Sequence, residues 1–128
     1  MTRFEPRFLV TREGYWQFQN SDRVEFIAHG DARRHDLLWR VIDQLETIQA
    51  AAIQLLKSFM KDTGEFTLES VEVFAEKSEC GLDFSVGFSF EADRAGDKYG
   101  YTYFEVFFAD RQVPRSHFWP CQLTIGFR

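Results

Sequence analysis

The sequence predicts an α+β fold: an antiparallel sheet of about six to seven strands, in the order β-β-β-α-β-β-β-β, with one long helix packed on one face. Three observations carry this expectation. Leu82, Phe84, Val86, Phe88 and Phe90 alternate with Asp83, Ser85, Gly87, Ser89 and Glu91, a period of two held for ten residues. Between residues 33 and 60 the apolar positions recur instead at steps of three and four, which is one stripe of a helix. The segments after that stripe are joined by short, turn-rich connections, which suit an antiparallel meander.

The elements follow in order. Phe4, Phe8 and Val10 place a first strand, with Pro6 marking it as an edge or a late start. Residues 15–19 and 23–28 read as the next two, separated by the turn Asn20-Ser21-Asp22. The helical stripe is Leu38, Val41, Ile42, Leu45, Ile48, Ala52, Leu55, Leu56 and Phe59. Asp31 or Asp36 would cap its start and Gly64 would follow its end. An unbroken helix over 33–60 would be roughly 42 Å long at 1.5 Å per residue. That exceeds the sheet beneath it, so the helix would either kink or extend beyond the sheet, and an overhang, or a strand edge, would meet a second copy.

Four strands follow, over about 65–76, 81–91, 99–110 and 117–127. In the first of them the apolar parity switches between Leu68 and Val71, which predicts a β-bulge near Glu69-Ser70. In the last, Trp119, Cys121, Leu123, Ile125 and Phe127 form one apolar row, and Cys121 reads as core. Phe84, Phe88, Leu123, Ile125, Leu45 and Ile48 are the expected contact between helix and sheet.

At 128 residues the chain fits one α+β domain, 1–128, with apolar content ample for a core. The N-terminus lacks the apolar stretch of a signal peptide, and no segment approaches the length of a membrane span. Cys80 and Cys121 are too few for a disulfide scaffold, so a cytoplasmic location with two free thiols is expected.

The net charge of −5 is concentrated. Residues 63–98 hold nine acids against three bases, a local balance of −6, and the rest of the chain sums to +1. Such a surface repels phosphates and anionic lipid, so neither nucleic acid nor membrane is expected as a partner.

Catalytic chemistry finds no footing. Cys80 sits among Glu76, Glu79 and Asp83, which would raise a thiol pKa. His29, Asp31, His35 and Asp36 cluster near the helix start, but their spacing matches no ligand signature, and the histidines read as solvated. No phosphate loop or serine-nucleophile setting is present. No catalytic residue, metal or cofactor is expected.

The best functional lead is the strand around Tyr103. Tyr99, Tyr101, Tyr103, Glu105 and Phe107 share one face; Phe104, Val106 and Phe108 suit the helix-covered side. Tyrosine joins apolar area to a polar tip and is favoured in protein interfaces. The expected partner-binding surface therefore consists of Tyr99, Tyr101, Tyr103 and Glu105, flanked by Glu72, Asp83 and Glu91. The chain is similar in size, acidity and lack of catalytic residues to the small immunity proteins of bacterial toxin systems. That likeness is one of class and is carried by no motif. The expectation is a non-enzymatic, acidic protein-binding domain that binds and neutralises a partner such as a basic toxin. The alternative is a homo-oligomeric structural or regulatory protein that self-associates, for instance as a homodimer, through the long helix or the sheet.

Overall fold

A computed structural model describes residues 9–10, 15–60, 63–92 and 102–127. The strands are β1 (Leu9–Val10), β2 (Trp16–Gln19), β3 (Glu25–Ala28), β4 (Gly64–Val73), β5 (Phe84–Ala92), β6 (Thr102–Arg111) and β7 (His117–Phe127). They form one sheet in the order β1-β2-β3-β4-β5-β6-β7. All neighbouring pairs are antiparallel except β3 and β4, which run parallel. The crossover between those two is helical, and it covers one face of the sheet. The fold is α+β, but two features correct the expectation: the sheet contains a parallel pair, and the crossover is two helices rather than one.

The helices are α1 (Ala32–Asp43) and α2 (Leu45–Lys57). Asp31 caps α1, its side chain accepting from the Arg33 N–H. The rod breaks at Gln44, whose backbone (φ −113°, ψ 19°) is not helical. The break follows from what each helix covers. Leu37, Leu38 and Val41 of α1 are buried where it crosses β3 and β4, whereas Ile48, Ala52 and Leu56 of α2 are buried where it crosses β6 and β7. The break thus lets each helix lie over its own pair of strands. Each spans only about 18–20 Å at 1.5 Å per residue, so the predicted overhang does not exist. Nor does Gly64 end the helix. Ser58 is the C-cap, and Gly64 opens β4, where an added Cβ would stand 2.2 Å from the Glu91 carbonyl oxygen.

The alternation in β5 is realised fully. Phe84, Val86, Phe88 and Phe90 point into the core, as do Phe104, Val106 and Phe108 of β6. Their rings pack on one another: Phe84 stacks on Phe108 at 5.0 Å between centroids, and Phe90 meets Phe104 edge-on at 5.7 Å. The bulge in β4 lies where parity placed it, between Leu68 and Ser70.

The last strand departs from its expected row. A second register shift sets Phe107 opposite Gln122 but Phe108 opposite Pro120, leaving Cys121 as the extra residue. Before the shift the even position Phe118 turns inward, edge-on to Phe84. Trp119 turns outward and is 50% exposed. Cys121 is exposed rather than core, and both cysteines are free thiols. After the shift, Leu123 faces the helices but is only half-buried, and Ile125 is 41% exposed, because β7 is the outermost strand. Leu45 is likewise half-buried.

Among the described residues no helix is long and apolar enough to cross a membrane.

Candidate partner-binding surface

The face of the sheet opposite the helices is assembled by strand register. Because side chains alternate, residues paired across strands share a face. One row runs Gln17, Ile27, Glu72, Ser85, Phe107, Gln122. The adjacent row runs Gln19, Glu25, Ser70, Gly87, Glu105, Thr124. These two central rows hold three glutamates and no lysine or arginine. No described helix covers them.

The acids are not equivalent. Glu72 pairs with His29, with 2.9 Å between its Oε2 and the imidazole Nε2. Glu25 accepts a hydrogen bond from the Gln17 amide. Glu105 accepts from the Ser85 hydroxyl at 2.7 Å. Burial, with a smaller contribution from the neighbouring Glu72 charge, pushes the Glu105 carboxyl above its ordinary pKa, against the opposing effect of Ser85. The middle of the face is therefore a place where negative charge is costly and a cation would be favoured.

The aromatic part of the face is real but differently built from the expectation. Tyr103 and Phe107 are both half-buried on it. Tyr103 lies across Gly87, with its hydroxyl 3.2 Å from Ser70 Oγ. Phe74, just beyond β4, lies 6.2 Å from the Phe107 ring. At the margin Trp119 receives the Arg111 guanidinium over its ring at 5.6 Å.

Of the expected site residues, Tyr103, Glu105 and Glu72 come together here. Glu91 lies on the same face, exposed near the end of β5 and opposite Glu65. Tyr99 and Tyr101 lie outside the described residues. Asp83 lies off the surface: its side chain is 2% exposed. Its carboxylate accepts from Arg34 Nη1 at 3.1 Å, from the Asp110 N–H at 2.7 Å and from Lys77 Nζ. Burial alone would raise its pKa, but the hydrogen bonds from Lys77, Asp110 and Arg34 prevail and hold it below the usual carboxylate range. Arg34 also donates Nε to the Phe74 carbonyl at 2.8 Å. Nearby, Arg40 grips Asp110 with both guanidinium nitrogens at 3.0 and 3.1 Å and lies over Phe118. Asp83 is thus a fastener between α1 and the ends of β4, β5 and β6.

The histidine cluster is also resolved into structure. His35 is 9% exposed and lies against Trp16, the ring centroids 3.7 Å apart and the planes tilted by 32°, which corrects the expectation of a solvated ring. Its Nε2 is buried without a hydrogen-bond partner. Among the described residues no group of three or more histidine, cysteine or acidic side chains is arranged to hold a metal.

Sequence reasoning did not find Glu25, His29, Phe74 or Trp119 as members of this face. Alternation within β3 hinted at Glu25, but only the parallel β3–β4 pairing sets it beside Ser70.

No family model, no curated protein and no solved structure matches the chain.

Proposed function

We propose that this chain is a non-enzymatic protein-binding domain whose open sheet face receives a basic partner, in the manner of an immunity protein that neutralises a toxin. The observation that carries the reading is the pair of central rows, with Glu25, Glu72 and Glu105 on a face that no described helix covers and no lysine or arginine in either row. A cation brought to Glu105 and Glu72 would relieve their mutual repulsion, so charge favours a basic partner over an acidic one. Tyr103 and Phe107 add apolar contact area at the centre, where interface anchors are found.

The test is affinity capture from the source organism's extract with the wild-type chain and with Glu72→Lys/Glu105→Lys. A basic protein retained by the first and lost from the second is the expected result. Its association rate with wild type should fall as salt rises. Identical capture by both proteins would overturn the reading.

A further inference from the structure

We infer that the chain forms a symmetric homodimer by antiparallel pairing of β7 with β7 of a second copy. The contact uses the edge of the sheet rather than its open face, so it goes beyond the partner-binding reading. Among the described residues nothing pairs with β7 on its far side, because it ends the strand order. An edge strand leaves every second backbone N–H and C=O without a ladder partner. Proteins guard such edges with charge, proline, bulges or brevity. At the opposite edge the described residues of β1 are Leu9 and Val10. The edge at β7 is eleven residues long, and none of them is lysine, arginine, aspartate or glutamate. Pro120 and the bulge at Cys121 guard only its first half. Residues 122–127 remain as a regular, uncharged run that no described residue covers on its outer side.

Charge selects the occupant. The chain carries −5 overall, so two copies repel. A strand free of formal charge is the part of the surface where a second copy approaches without placing like charges opposite each other. Antiparallel pairing of identical strands is isologous and closes as a two-fold dimer rather than a fibre. It also sets both helix layers on the same side of the joined sheet. The α2 helices, which pack over β6 and β7, then flank the two-fold axis, and Ile125, 41% exposed on that side, is covered. A hydrophobic position left half-covered at the rim of one copy becomes interior in the pair.

The experiment is sedimentation equilibrium of the wild-type chain from low micromolar to near-millimolar concentration, beside Thr124→Lys, Ile125→Lys and Thr67→Lys. Thr67 is an exposed β4 residue on the open face and serves as the charge control. The wild type and Thr67→Lys should dimerise, and both β7 variants should weaken the dimer about tenfold or more. A wild type that stays monomeric throughout overturns the inference, as does a dimer that both β7 substitutions leave intact. Backbone amide exchange of the wild type guards against variants that misfold. Exchange at residues 122–127 should slow as concentration rises, and concentration-independent exchange there overturns the inference equally.

Discussion

The ring of Tyr103 on β6 occupies the space left by the missing side chain of Gly87 on β5: a Cβ built at Gly87 would stand 1.8 Å from the tyrosine oxygen and 2.7 Å from Ser70 Oγ. A glycine in mid-strand weakens a sheet unless a neighbour covers it, and here the tyrosine does so. Gly87→Ala should therefore expel the Tyr103 ring and break its contact with Ser70. The expected loss is about 1–3 kcal/mol, the usual range for overpacking, read by urea unfolding. Tyr103→Ala combined with Gly87→Ala should recover part of that loss, because the clash then has no second party. A double variant that is no better than Gly87→Ala would contradict the contact.

Asp83 makes the second prediction. Asp83→Asn keeps the shape but removes the charge that answers Arg34 and Lys77. Breaking a buried pair from one side typically costs about 3–5 kcal/mol, and Lys77, being half exposed, moves the expectation to the lower end. The pH dependence follows from the carboxyl's lowered pKa. Its stabilisation is full above the ordinary value of 3.8 and is lost as pH falls through the lower folded value. Melting curves from neutral pH down to the acid limit should show the wild type losing its advantage over Asp83→Asn only at the acid end. A constant gap between the two proteins would disprove the role.

His35 titrates in the opposite region. Desolvation against Trp16 lowers its pKa below 6.5, while Asp31 and Asp36 pull weakly the other way. The unfolded chain therefore takes the proton first as pH falls. Stability is full above 6.5 and declines from there down to the folded value, below which the loss is complete and constant. His35→Phe retains a ring against Trp16 and has no proton to take. Between pH 7.5 and 5 the wild type should lose more stability than this variant, about 1.4 kcal/mol for each unit by which the pKa is lowered. Parallel stability curves would refute it.

Glu105 has the reverse sign. Its carboxyl is raised by burial, so ionisation opposes folding once pH exceeds the ordinary value of 4.5. Glu105→Gln keeps an acceptor for Ser85 and should stabilise the chain at neutral pH by a few tenths to about 1 kcal/mol, an advantage that vanishes below 4.5. Equal melting temperatures at neutral pH would mean that the face tolerates its charge. The same substitution should weaken capture of a basic partner, which separates the cost of the charge from its use.

The legible parts of the fold are those governed by local period. Phe84 to Phe90 announce their face by simple alternation, and the parity switch between Leu68 and Val71 marks the β4 bulge because both sides of it are apolar. The β7 bulge has no such mark: Trp119, Cys121 and Leu123 continue one apolar parity straight through it. The turn at Gln44 is equally silent, with no proline, glycine or serine beside it, since the strands that α1 and α2 cover are set by the tertiary fold rather than by the local sequence. The site was half legible for the same reason. Tyr103, Glu105 and Phe107 share a face by counting along one strand. The neighbours Glu25 and Glu72 depend on which strands are adjacent, and Asp83, polar and at a strand start, gives no hint that Arg34 from 49 residues away enfolds it.

The parallel seam between β3 and β4 has a kinetic consequence. Every other strand contact is made between segments adjacent in the chain, and β4 through β7 can zip together by successive hairpins. Joining β3 to β4 requires closing a loop of some 45 residues, Glu25 reaching Ser70, which must await the ordering of both helices. The four-strand meander is therefore the part able to assemble early, and the β2–β3 ribbon docks late. Since Glu25 and His29 enter the acidic face only through that docking, the topology predicts that the face is completed late in folding. An incompletely folded chain would present the tyrosine without its full complement of acids.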